Sequence, residues 1–238
     1  MSSNVVNIQP IGVIATPFKQ KFAIPRQPNL ANASGRVTFD TPFDDPQAFK
    51  GLEGFSHVWL LFHFHATARR GWKLQVKAPR LGGNNTLGVF ATRSTHRPNG
   101  IGMSVVKNEG LHTVNGRICL DVSGVDLLDQ TPIVDIKPYL PYADRVDNAT
   151  DRLTEYQPIP ERTVHFSPMA NLELDALCVS YPDARTFIRS ILSQDPRPAY
   201  KQHLDDDAKI YRVALFEKDI SWCVRQGEIC VLAIENLP

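Results

Sequence analysis

The chain has 238 residues, of which 42% are hydrophobic, and a formal net charge of +1 at pH 7. This length and composition suit one large globular domain, or a core domain with a small appendage. The near-neutral charge argues against a protein that holds nucleic acid by bulk electrostatics, and no apolar run approaches the roughly 18 residues of a membrane span.

The distribution of charges and the spacing of cysteines further limit the kind of protein this can be. Residues 1–150 carry 16 Lys and Arg against 11 Asp and Glu, whereas residues 151–238 carry 10 against 14, so we expect any RNA contact in the first part. The cysteines lack zinc-ligand spacing, and the first residues lack a secretion signal. We therefore predict reduced thiols and a cytoplasmic location.

Residues 1–147 predict a mainly β domain. β-branched residues cluster at 5–16, and a helical turn is expected at 44–49. Further strand patterns lie at 36–40, 55–65, 72–77, 88–91, 101–106, 118–125 and 133–136. Seven or eight short strands with few helices favour a closed antiparallel or mixed β-barrel. No Gly-x-Gly-x-x-Gly follows a strand, so a Rossmann-type cofactor site is not indicated.

The strand pattern at 55–65 is apolar at nearly every position, which predicts a strand buried on both faces. It contains His57, His63 and His65. Two of these share a strand face, but no carboxylate or Cys of suitable spacing completes a metal-ligand set. We favour hydrogen-bonded histidines in the core or at a pocket edge and predict no metal.

The rest of the chain predicts a linker and a second domain. Residues 148–162 are polar, include two prolines, and predict a linker. Residues 163–238 predict a small α+β domain with two helices separated by Tyr-Pro-Asp at 181–183, where Asp183 can cap the second helix. Three strands follow at 211–216, 220–224 and 228–234, with turns at 218–219 and 226–227.

Residues 88–104 concentrate the chemistry of the chain. Arg93, His96 and Arg97 occur within five positions, before Pro-Asn-Gly at 98–100 predicts a sharp turn. Two guanidinium groups and an imidazole on one loop can bind a carboxylate or phosphate. The alternative is a set of surface ion pairs around an ordinary hairpin loop.

Several motifs along the chain match one known family. They are Gly-Val-Phe-Ala-Thr-Arg-Ser at 88–94, Arg-Pro-Asn at 97–99, Ile-Gly-Met-Ser at 101–104, Pro-Arg-Gln-Pro at 25–28, Leu-Glu-Gly-Phe-Ser-His-Val-Trp at 52–59 and Asp-Ile-Lys-Pro-Tyr-Leu-Pro at 135–141. Together they resemble the TsaA-like, or TrmO, family of S-adenosylmethionine-dependent tRNA methyltransferases. The resemblance covers residues 8 to about 145, with a weaker echo in Asp-Pro-Arg-Pro-Ala-Tyr at 195–200.

The resemblance implies S-adenosylmethionine as cofactor and assigns its contacts. These are Pro25, Arg26, Gln27, His65, Ala66, Arg93, Met103, Asp126, Leu127, Leu128 and Asp129. Chemically, Arg93 suits the methionyl carboxylate and Asp126 or Asp129 suits the ammonium or the ribose hydroxyls. Met103 and Leu127 suit an apolar wall.

The resemblance also implies the substrate, which is N6 of threonylcarbamoyladenosine at position 37 in the anticodon loop of a threonine tRNA. Contacts to the RNA are expected at Arg97, Asn99, Lys137, Arg197 and Tyr200, with Arg on phosphate or the threonyl carboxylate and Tyr200 stacked on a base. Asp135 is a candidate general base, and the alternative is that it only pairs with Lys137. A homodimer is expected as well, because loops of two subunits could then build one pocket.

Two other classes of function remain open at this stage. The barrel could bind S-adenosylmethionine or a related nucleotide as a sensor without catalysis. A hydrolase that uses His and Asp is the third class, but no Gly-x-Ser-x-Gly or other nucleophile motif supports it.

Overall fold

A computed structural model describes residues 6–77, 86–151 and 161–237. Within these ranges the first unit contains eight strands: β1 (Gly12–Ala15), β2 (Ser34–Phe39), β3 (His57–His63), β4 (Gln75–Lys77), β5 (Thr86–Gly88), β6 (Ile101–Val114), β7 (Arg117–Ser123) and β8 (Thr131–Pro138). Six of them close into a barrel in the order β1-β2-β7-β6-β3-β8, and every neighbouring pair is antiparallel. The predicted mainly β fold with a closed barrel is confirmed.

The interior of the barrel is filled by alternate residues of each strand. In β3, Val58, Leu60 and Phe62 point inward and are almost fully buried, while Trp59 and Leu61 lie on the outer face and are half-buried. The expectation that β3 is buried on both faces is therefore wrong for its outer face. A closed barrel leaves no unpaired strand edge, so one apolar face per strand suffices to hold it together.

Shorter elements connect the barrel strands. A 3-10 helix at Pro46–Phe49 begins where the Asp45 carboxylate accepts a hydrogen bond from the Gln47 amide at 2.8 Å, as expected for a turn at 44–49. Two short helices follow, α1 (His65–Ala68) after β3 and α2 (Pro141–Asp144) after β8. β4 and β5 form a separate two-stranded sheet. We predicted a strand at 88–91, but Val89–Ala91 forms a 3-10 helix instead.

The second unit packs two helices on a four-stranded sheet. Its elements are β9 (Val164–Phe166), α3 (Pro168–Ser180), α4 (Ala184–Ser193), β10 (Asp207–Leu215), β11 (Lys218–Arg225) and β12 (Glu228–Asn236). The sheet order is β10-β11-β12-β9, so the expected three strands gain a fourth that runs parallel to β12. Most of the predicted linker, residues 152–160, lies outside the described residues.

The connection between β1 and β2 lies between the two units. Phe18 forms a backbone bridge to Leu215, and its ring centroid is 5.6 Å from that of Phe187 on α4. At the other end of the connection, Gln194 donates a hydrogen bond from Nε2 to the carbonyl oxygen of Leu30 at 2.9 Å. The apolar residues of both units belong to one buried cluster, so this connection is held from both sides.

Across the described ranges, none of the helices has the length and apolar character needed to cross a membrane.

Candidate functional site

A cleft of about 670 Å³ lies at one rim of the barrel and along the outer face of β3 and β6. Four parts of the chain wall it: the β1–β2 connection, the end of β3 with the start of α1, the loop before β6 with the first residues of β6, and the β7–β8 connection. Residues more than a hundred positions apart in the sequence therefore meet at one site.

The cleft collects nearly all of the predicted cofactor contacts. Those that line it are Pro25, Arg26, Gln27, His65, Ala66, Arg93, Met103, Asp126, Leu127 and Leu128. Arg97, which we predicted to contact RNA, lines it as well. The motifs at 25–28, 88–94, 97–99 and 101–104 thus meet at one concave surface, as expected for a ligand site, whereas the motif at 135–141 lies outside it.

Asp126 is the acid of this cleft. Burial raises the pKa of its carboxyl to about 6, although a 2.6 Å hydrogen bond from Ser104 Oγ, a backbone hydrogen bond and the charge of Arg93 act in the opposite direction. Near neutral pH the group is therefore ionised but poorly solvated. Such a carboxylate gains much from a cationic ligand group that enters the cleft.

Arg93 and Arg97 have different roles in the loop before β6. The Arg97 guanidinium donates to the carbonyl oxygen of Thr92 at 2.6 Å, so it holds the loop in shape. The Arg93 guanidinium is exposed and donates to Gln27 Oε1, which joins the loop to the Pro-Arg-Gln-Pro segment. A guanidinium is planar and has five N–H donors. One donor of Arg93 is bonded to Gln27 and fixes the orientation of the side chain, and the others can bind an anion.

His65 opens α1 at the edge of the cleft. Burial lowers the pKa of its imidazole, the charges of His63 and Lys21 act the same way, and a backbone hydrogen bond of His63 acts against them. The ring is therefore mainly neutral near pH 7. No group of three or more potential metal ligands occurs among the residues that the structure describes.

Two residues to which the sequence analysis gave no role in the site shape the cleft. Asn29 adopts a left-handed backbone conformation (φ 63°). Its backbone amide donates a hydrogen bond to Gly124 O at 2.9 Å, and its side-chain Nδ2 donates one to Val105 O at 3.1 Å. It thereby ties the β1–β2 connection to two other walls. At Gly102 an added Cβ would stand 2.4 Å from the ring of Phe62, so only glycine fits there.

Some predicted site residues lie outside the cleft lining. Asp129 accepts hydrogen bonds from the Thr16 amide at 2.9 Å and from Lys19 Nζ at 2.7 Å, so it fixes the start of the β1–β2 connection. Asp135 lies on β8 with a carboxylate oxygen 3.2 Å from Lys137 Nζ. This geometry agrees with the alternative in which Asp135 is the partner of Lys137. Asn99 is exposed on the turn before β6.

The expectation that Arg197 is presented to RNA is wrong. Its side chain is fully buried, and Nε and Nη2 each donate to a carboxylate oxygen of Asp195 at 2.7 Å. Asp195 has a positive φ of 47°, and its carboxylate also accepts a hydrogen bond from the backbone amide of Arg197 at 3.4 Å. The carboxylate also accepts from Arg162 at 2.8 Å, so Arg197 belongs to a buried ion cluster. Tyr200, three residues later, is 66% exposed, as a stacking residue requires.

Comparison with known proteins agrees with this arrangement of motifs. Residues 13–145 match the model of the tRNA-methyltransferase O N-terminal domain, and residues 160–237 match that of the TrmO C-terminal domain. This chain belongs to the TrmO family. An Escherichia coli tRNA (adenine(37)-N6)-methyltransferase is 44% identical over 226 residues, which are 94% of this chain and 96% of that protein.

Other relatives extend the comparison. A Pseudomonas aeruginosa protein, whose name proposes an S-adenosylmethionine-dependent methyltransferase, is 48% identical over 219 residues and covers 91% of each chain. A crystal structure of TrmO from Pseudomonas aeruginosa has 40% identity and a TM-score of 0.78, covering 98% of this chain and 100% of that one. The TrmO fold thus extends over both units of this chain.

Proposed function

We propose that this TrmO protein transfers a methyl group from S-adenosylmethionine to N6 of threonylcarbamoyladenosine at position 37 of threonine tRNA. Membership of the family makes the chain an S-adenosylmethionine-dependent tRNA methyltransferase acting on N6 of adenine 37. The threonylcarbamoyl group and the tRNA isotype are the finer part of the proposal. The observation that carries it is the cleft, in which residues of four family motifs meet a partly buried acid and several cations.

The residues of the cleft fit the chemistry of the cofactor. S-adenosylmethionine combines a carboxylate, an ammonium, a sulfonium and an adenine. Arg93 offers a guanidinium for the carboxylate, and ionised Asp126 offers a partner for the ammonium. Half-buried Leu61 and buried Leu127 provide apolar surface for the remainder. When bound, the cofactor supplies a methyl group on a sulfonium, which is an electrophile.

The protein accelerates the transfer mainly by positioning. The Arg93–Gln27 bond and the Asn29 contacts hold two loops at fixed places, so the reacting groups can be aligned before the reaction. N6 must also lose a proton. Neutral His65 at the edge of the cleft is the side chain that we assign to accept it, since Asp135 is paired with Lys137 outside the cleft.

The RNA is held at the mouth of the cleft and by the second unit. We assign Arg97 and Tyr200 as RNA contacts, with the exposed Tyr200 ring stacking on an unpaired base. Asn99 and Lys137 are exposed on the barrel, so we assign them to the RNA as well. Arg197 drops out of this set because it is buried. We place the reaction in the cytoplasm because that is where tRNA anticodon loops are modified and used.

We also propose a homodimer in which the cleft lies near the subunit interface. Met103, Phe90 and Leu74 are 56%, 76% and 76% exposed, and Met103 lines the cleft itself. Large exposed apolar side chains beside a ligand site are typical of an interface. Sedimentation at micromolar concentration tests this, and an active species near the 26.7 kDa of one chain contradicts it.

Incubation with methyl-labelled S-adenosylmethionine and tRNA tests the activity. Three threonine tRNA samples are compared, with threonylcarbamoyladenosine, with unmodified adenosine, and with another nucleotide at position 37. We expect label in the first sample alone. Labelling of unmodified adenosine to the same extent contradicts the threonylcarbamoyl part of the proposal. Cofactor binding without label in any RNA favours the sensor function instead.

A further inference from the structure

The cleft carries more positive charge than its own acid balances. Lys21, Arg26, Arg93 and Arg97 all line it, whereas Asp126 is the one carboxylate among the described residues of its lining. S-adenosylmethionine adds further positive charge, since its sulfonium and ammonium outweigh one carboxylate. A cleft of this kind favours an anionic group on the second substrate.

Lys21 differs from the two arginines whose partners are described above. The guanidinium of Arg93 donates to Gln27 and that of Arg97 to Thr92 O. Within the described part of the chain, the Lys21 ammonium forms neither a hydrogen bond nor an ion pair. Partial burial and the charge of Arg70 lower its pKa. Its surroundings therefore supply positive charge and no compensating carboxylate.

The charges in the cleft form two groups. Asp126 interacts with Arg93, and together they offer both signs of charge, as the zwitterionic methionyl end of the cofactor requires. Lys21 lies instead beside His65, which is mainly neutral, and near Arg70, which is outside the lining, so its side of the cleft offers positive charge without a carboxylate. It suits a ligand group that is purely anionic.

We propose that the Lys21 ammonium binds the carboxylate of the threonylcarbamoyl group on the target adenosine and so determines specificity for the modified base. This inference rests on the proposed function. The carboxylate is carried by the same N6 that receives the methyl group, so it must enter the cleft together with N6. Backbone phosphates of the loop have no such requirement, and they are the rival source of the anion.

Lys19 provides a matched control two residues away. Its ammonium is 2.7 Å from Asp129 Oδ2, and it does not line the cleft. Removing its charge changes the net charge of the same segment by the same amount. Any effect of Lys21 through the general electrostatic field should therefore be reproduced at Lys19.

The experiment measures the dissociation constants of two threonine tRNA anticodon stem-loops that differ only at position 37, where one has threonylcarbamoyladenosine and the other adenosine. We compare the natural protein with Lys21→Gln, Lys21→Arg and Lys19→Gln at fixed salt. We expect Lys21→Gln to bind the modified RNA roughly tenfold or more weakly while its affinity for the unmodified RNA stays unchanged. Lys21→Arg should retain most of the preference, and Lys19→Gln all of it.

Other outcomes overturn the inference in distinct ways. Equal weakening of both RNAs in Lys21→Gln assigns Lys21 to a phosphate. Weaker binding of S-adenosylmethionine assigns it to the cofactor carboxylate, and unchanged RNA binding removes it from the site. If Lys19→Gln loses the same affinity for the modified RNA, the effect belongs to the general electrostatic field of the protein. If the natural protein itself neither prefers nor methylates the modified RNA, the proposed function fails before Lys21 is tested.

Discussion

Replacing Asp126 by Asn should change stability and cofactor affinity in opposite directions. The carboxyl is largely buried, and its pKa is raised from 3.8 to about 6, mainly by burial. Ionising it in the folded protein at pH 7 therefore costs about 3 kcal/mol relative to the unfolded chain. The amide of Asn has no charge to desolvate and can still accept the 2.6 Å hydrogen bond from Ser104 Oγ.

The effect of Asp126 on stability depends on pH. Between pH 3.8 and about 6 the folded protein binds more protons at this group than the unfolded chain, so the stability of the natural protein falls as pH rises through this window. Without cofactor, Asp126→Asn should therefore be up to about 3 kcal/mol more stable at pH 7.5, with little difference below pH 4. Its affinity for S-adenosylmethionine at pH 7.5 should fall roughly 10- to 100-fold, because a charge-assisted bond is lost.

Urea unfolding at several pH values and calorimetric titration with the cofactor measure the two effects. Asp129→Asn is the control, because Asp129 pairs with Lys19 and accepts from the Thr16 amide, so its loss should lower stability. The reasoning is refuted if Asp126→Asn is less stable than the natural protein at pH 7.5, or if its cofactor affinity is unchanged.

Three further substitutions test the remaining assignments. Arg93→Ala should weaken cofactor binding by about 1.5 to 3 kcal/mol in calorimetric titration, and an unchanged constant would return Arg93 to a surface role. Arg197→Ala should lower the free energy of unfolding by about 3 to 5 kcal/mol, because it leaves the Asp195 carboxylate without one of its buried partners, whereas exposed Arg212→Ala should cost far less. Tyr200→Ala should raise KM for tRNA by an amount equivalent to about 1 to 3 kcal/mol with cofactor affinity preserved, and a reduced melting temperature without a KM change would make Tyr200 structural.

The barrel could be predicted from the sequence because its signals are local. Strand patterns at short spacing require only that each segment alternate or run apolar, and the closed barrel follows from their number. β9 has only three residues, too few for a detectable period, so the fourth strand of the second sheet was missed. The turn before β11 was predicted at 218–219, but it lies two residues earlier, at Phe216 and Glu217. These are not typical turn residues, yet both adopt the left-handed conformation there.

The sequence named most of the residues that line the cleft but not the contacts among them. The resemblance implied Arg93 and Asp126 as cofactor contacts, yet nothing in a linear pattern shows that Ser104 donates a hydrogen bond to the Asp126 carboxylate or that Asn29 joins three walls. Arg197 shows the limit most clearly. Prolines on both sides restrict the backbone of Arg197, but they do not determine whether its side chain faces solvent or the core. That depends on the left-handed Asp195 and on its buried carboxylate.

The connection between β1 and β2 links the reaction to the second unit. Gln27, in its middle part, and Lys21 both line the cleft, Gln27 where we assign the cofactor and Lys21 where we assign the substrate carboxylate. Its two ends are fixed to the second unit through Phe18 and Leu30. Because a segment fixed at both ends loses little freedom on binding, the second unit lowers the entropic cost of binding a ligand at the cleft. The second unit thus supports one wall of the cleft through the contacts of Phe18 and Leu30.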